Sequence, residues 1–137
     1  MADVLAVFMR WLHIASVAVL VGGLLYGSMA LRATEGAIAA DTVEKIGDAA
    51  AALFRPRVLA AITALLLSGV YNILTTPGHT TRYYIWLGIK LLLVLHIFAS
   101  AILGSRPHNP RRGRQWASAG ISGLVVIVIS AYLRRIF

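Results

Sequence analysis

Lys90 lies within a long apolar run, eight positions after Arg82 and six before His96. An ammonium group in hydrocarbon costs a few kcal/mol. It therefore either snorkels to a headgroup region or is compensated by a bundle partner, a bound anion or loss of its proton. His13 sits in a second apolar run, two residues after Trp11. An imidazole in such surroundings either bonds between helices or ligates a metal through a neutral nitrogen. Tyr71 and Asn72 close a third apolar run, and Ser130 and Tyr132 a fourth. Cations, imidazoles and hydroxyls together can hold a group that is both metal-bearing and anionic.

The elements that must position these residues follow from composition. Hydrophobic residues make up 59% of the 137 positions and charged ones 13%, too apolar a balance for a soluble domain of this size. A helical span takes about 20 residues to cross roughly 30 Å of hydrocarbon, so four spans use most of the chain. The expected fold is an all-α, integral membrane four-helix bundle forming a single domain over residues 1–137. The net charge of +8 sits at the ends of apolar runs and not along one polar face, which points to topology and anionic headgroups and away from nucleic acid. Cysteine is absent, which excludes disulfides and thiolate metal sites.

The spans are expected over approximately 11–31, 55–76, 82–104 and 116–137, with residues 2–10 extending the first helix. That first run starts Met-Ala-Asp, has no basic n-region and outruns a signal-peptide core, so it reads as a retained helix. Gly23 and Gly27 form a GxxxG pair suited to close helix packing, and Ala119 with Gly123 forms a second small pair. Between spans one and two, Asp41-Thr42-Val43-Glu44 has the form of a carboxylate cap with Glu three residues on. Val43, Ile46, Ala50 and Leu53 follow at helical spacing, so a short amphipathic surface helix is expected. Pro56 then fits the first turn of span two. His79 and His108 fall in connections.

Arg32, Lys45, Arg55, Arg57, Arg106, Arg111, Arg112 and Arg114 lie in the connections after spans one and three, against Arg10, Arg82, Arg134 and Arg135 on the other side. The positive-inside rule then puts both termini away from the cytoplasm, in what is expected to be a bacterial inner (plasma) membrane. Spans one and three run in parallel, so the 1.5 Å rise per residue places His13 roughly 12 Å, Lys90 about 4–5 Å and Arg82 about 16 Å outward of the midplane. Tyr71, Asn72 and Tyr132 fall in the same outer half. His96 lies inward of the midplane, about 120° around its helix from Lys90, and is placed as either an interhelical donor or a ligand.

Two cofactors suit this inventory. Haem b needs one or two neutral imidazoles, here His13 or His96, and cations or hydroxyls for its propionates, here Lys90, Arg82 and the outer tyrosines. Copper favours Met and Cys ligands, and Met1, Met9 and Met29 do not gather at the His13 level. A third reading is a non-catalytic subunit whose small-residue faces dock into a larger membrane complex or onto a second copy.

Trp11-Leu12-His13 with Gly22-Gly23, Phe54-Arg55, Ser68-Gly69-Val70-Tyr71 and the segment from Tyr84 to Lys90 resemble the four-helix units of CopD-like copper-resistance proteins and HemJ-type protoporphyrinogen oxidases. The resemblance covers nearly the whole chain. Its HemJ-like side implies a haem-ligating His13, with Lys90 and Arg82 on carboxylates of haem or porphyrin and an oxidoreductase activity. Its CopD-like side implies copper handling. Leu20 stands where a tryptophan usually precedes the Gly-Gly pair, and no Pro-Arg follows Tyr26.

Overall fold

The structure, a computed structural model, describes residues 1–75, 78 and 80–135. His79, Thr76 at the end of the second expected span and the last two residues of the fourth lie outside the described residues. Four helices make up the fold: α1 (Ala2–Thr34), α2 (Ala40–Thr75), α3 (Thr81–Gly104) and α4 (Arg112–Leu133). All four are long and apolar enough to cross a membrane. At 1.5 Å per residue, α3 and α4 measure about 36 and 33 Å, close to the hydrocarbon thickness, whereas α1 and α2 reach about 50 and 54 Å and must project beyond it.

The projection of α2 corrects the expected break between surface helix and span. The amphipathic segment is helical, but it is the first turns of α2, and Pro56 lies inside that helix and not in an opening turn. Proline has no N–H to offer the carbonyl one turn back. Beside the gap, the Arg57 guanidinium donates from Nη1 to the Leu53 carbonyl at 2.6 Å, which adds a side-chain hydrogen bond where the backbone ladder is interrupted.

The helices form an up-and-down ring in which α1 packs on α2 and α4, and α4 packs on α3, while α2 and α3 meet in few places. The N termini of α1 and α3 define the upper end. The core is concentrated toward the lower end: Leu24, Leu31, Ala51, Val58, Ala101 and Trp116 are all buried. Trp116 is wedged between helices, edge-on to Phe54 at a centroid distance of 5.5 Å. Gly27 and Gly104 make its space, since a Cβ on either would run into the indole. Gly23 likewise faces Phe54. The GxxxG pair therefore receives aromatic rings, and not the backbone of a neighbouring helix. The indole Nε1 is buried without a hydrogen-bond partner among the described residues.

All buried residues of α3 lie between Ile97 and Gly104. Its upper half carries Arg82, Trp86 and Lys90, and Trp86 meets Tyr132 of α4 edge-on at 5.4 Å. Full burial on α3 is thus confined to its lower half, and the α2–α3 contact is the sparsest in the ring.

A candidate cofactor site at the upper seam

His13 projects from α1 toward α2, where its Nδ1 lies 2.9 Å from Ser68 Oγ. Ser68 is fully buried, and its single hydroxyl proton is directed at the Ala64 carbonyl, 2.7 Å away. With that proton on Ala64, the hydroxyl accepts from the ring and His13 is protonated on Nδ1. The bond orients the ring, and Nε2 has no hydrogen-bond partner among the described residues. A metal-binding imidazole is prepared in the same way, with the far ring nitrogen tied to a neighbouring acceptor. The ring passes close to Gly69, where a Cβ would make ordinary contact with His13 Cε1 at 3.9 Å.

Lys90 is half-buried in α3, and its charge reaches His13. No ion pair among the described residues includes it. The chain leaves little scope for one, because its acids are Asp3 and four carboxylates between residues 35 and 48, and those four belong to the lower end. Lys90 therefore has no carboxylate partner among the described residues, and it interacts electrostatically with His13.

The other expected site residues are distributed around this pair. Arg82 is exposed at the upper end of α3, its guanidinium 5.7 Å from the centroid of the Tyr132 ring. Tyr71 and Asn72, one turn above Ser68 on α2, are half-buried, as is Tyr132. His96 is set apart: it is exposed on α3, and its Nε2 lies 3.1 Å from Ser118 Oγ of α4. Of the two histidines expected as metal ligands, His13 lies between α1 and α2 and His96 between α3 and α4, so the hydrogen bonds place them in different helix pairs.

A second polar cluster, not anticipated from sequence as a unit, occupies the lower end. Arg112 is buried at the start of α4. It donates from Nε to the Gly104 carbonyl (2.8 Å) and from Nη2 to the Arg106 carbonyl (2.6 Å) and to Asp48 Oδ1 (2.8 Å). Asn109 Nδ2 donates to the Leu103 carbonyl at 2.8 Å. These side chains satisfy carbonyls left without helical partners at the end of α3. Gly47 gives the guanidinium room, since a Cβ there would come within 2.7 Å of Nη1. The hydrogen bond and charge of Arg112 hold the Asp48 carboxyl, in the projecting part of α2, below its ordinary range. His108, in the connection between α3 and α4, is exposed yet paired, its Nδ1 lying 2.8 Å from Glu44 Oε1. The bond to Glu44 and the charge of Asp48 push the His108 imidazole up from its ordinary range.

In comparisons with family models, curated proteins and solved structures, none matches this chain.

Proposed function

We propose that the chain binds haem b at the upper seam, serves a redox, electron-transfer or porphyrin-handling role, and belongs with the CopD-like and HemJ-like bundles it resembles. The observation that carries this reading is the pairing of His13 with Lys90. One offers a ring nitrogen without a hydrogen-bond partner on an imidazole held by Ser68, and the other an amine that has no carboxylate partner and interacts electrostatically with that ring. A neutral imidazole and a nearby cation are what a metal-centred dicarboxylate requires. His13 Nε2 would hold the iron, while Lys90 and Arg82 would meet the propionates. Bound haem would supply one-electron chemistry, and the chain supplies ligation, charge balance and exclusion of water. Copper fits less well: His96 is engaged elsewhere with Ser118, and the chain has no cysteine.

Protein purified in detergent from haem-replete cells should show a Soret band. A colourless protein that folds normally would sink the reading, and stoichiometric copper in its place would transfer the site to copper.

The same proposal sets the bundle in a bacterial inner membrane, upper end outward, because Arg32, Arg55, Arg57, Arg106, Arg111, Arg112, Arg114 and Lys45 crowd the lower end. A reporter that is active only outside the cytoplasm should work when fused to the C terminus. Activity from a cytoplasm-dependent reporter at that position would reverse the orientation.

A further inference from the structure

Glu44 and Asp48 stand four residues apart on α2 and so share one face of that helix. The connection between α3 and α4 brings His108 over them in a left-handed backbone conformation, φ 52°. Its Nδ1 lies 2.8 Å from Glu44 Oε1 and 3.5 Å from Asp48 Oδ2. One ligating atom from each of the three residues falls within 4.8 Å of the others.

The two oxygens of Asp48 have different tasks. Oδ1 accepts from Arg112 Nη2 at 2.8 Å and from the His108 backbone N–H at 3.0 Å, which turns Oδ2 toward the imidazole. Outer partners orient ligand carboxylates in metal sites in the same manner. Arg112 is itself immovable, its side chain only 5% exposed. Ligand atoms bound to a tetrahedral ion at 2.0–2.1 Å stand about 3.3 Å from one another, and the two separations from His108 Nδ1 lie on either side of that value.

We infer that Glu44, Asp48 and His108 form a divalent-metal site at the lower end of the bundle, taking a zinc-like ion through one imidazole nitrogen and two carboxylate oxygens. One imidazole with two carboxylates is a ligand set for borderline ions, unlike the all-oxygen sets of magnesium and calcium. The ion takes the place of the proton between Nδ1 and Glu44. With Arg112 counted and the imidazole protonated beforehand, the site changes from zero net charge to one net positive charge. A fourth coordination position is left to water or to a group on another molecule. Because the ligands come from α2 and from the α3–α4 connection, the ion would also link two segments distant in sequence. The site is separate from the upper seam and does not depend on the haem reading.

The test uses tag-free, chelator-stripped full-length protein in detergent, titrated with zinc chloride against a chromophoric chelator. One equivalent should bind, with affinity reduced at least tenfold in Glu44→Gln and in His108→Ala, and unchanged in His13→Ala and His96→Ala. Glu44 is exposed, so Glu44→Gln separates loss of a ligand from loss of fold, with helicity and elution profile compared to the parent. The assignment is overturned by a parent protein that binds no zinc, or by Glu44→Gln and His108→Ala variants that bind it as the parent does.

Discussion

His13→Ala, expressed under haem-replete conditions, should retain less than a tenth of the parent's haem while keeping its helicity and monodispersity. The reason is local. The imidazole of His13 is half-buried between α1 and α2, its far nitrogen is tied to Ser68, and the near one is the donor at this level without a partner. Ser68→Ala should have a smaller effect, because it leaves the ligand in place and frees its orientation. Losses of this second kind are commonly about 10–100-fold in affinity. Lys90→Gln should weaken retention by removing the charge that meets a carboxylate, and His96→Ala should leave the spectrum untouched. Haem content measured per protein, together with the Soret position, reads all four. Full haem content with an unaltered spectrum in His13→Ala would remove His13 from the site.

Arg112→Ala should be the most destabilising change among the charged residues, by about 3 kcal/mol, the scale on which breaking one side of a buried ion pair is felt. The guanidinium is almost entirely enclosed and serves two carbonyls and a carboxylate at once. Its removal strands the Gly104 carbonyl at the end of α3 and leaves Asp48 facing a void lined by Gly47. Arg112→Lys should recover little, because a single ammonium cannot fork between partners on three segments. Asp48→Asn should cost less, since its amide can still accept from Arg112. Thermal unfolding of the purified protein, followed by far-ultraviolet circular dichroism, checks the order. An Arg112→Ala midpoint equal to that of Asp48→Asn would contradict the role given to the two carbonyls.

What could be read from the sequence divides along a physical line. The four spans are written in hydropathy, a property of contiguous residues, and four long apolar helices lie where it puts them, although α4 ends at Leu133, short of the end expected for span four. The start of α2 was not legible because the membrane boundary near Arg55 is a change of solvent and not of backbone. Pro56 is compatible with a first turn, and only the long helix shows that it interrupts a ladder already under way. Helical rise put His13 and Lys90 in the same half of the bundle, and the two interact electrostatically. Rotation and tilt were not legible, so nothing in the local pattern set His96 against Ser118 or confined the full burial of α3 to its lower half. Ser68 lies 55 residues from His13, so no local pattern marked its hydroxyl as the partner of that ring. Arg112 read as one more positive charge, because its carboxylate partner lies 64 residues away. The GxxxG pattern correctly marked space on α1 but carried no information on what fills it.

The missing carboxylate partner of Lys90 also has an electrical consequence. Water would screen an ammonium group within a few ångströms, whereas hydrocarbon screens it poorly, and the interaction between two charges grows as the surrounding dielectric falls. On the proposed haem reading, a protonated Lys90 would act as a standing positive potential on the group held by His13. An electron arriving there would be stabilised and one leaving held back. Lys90 would thereby raise the reduction potential of the occupant, and neutralising it would lower that potential without touching a ligand.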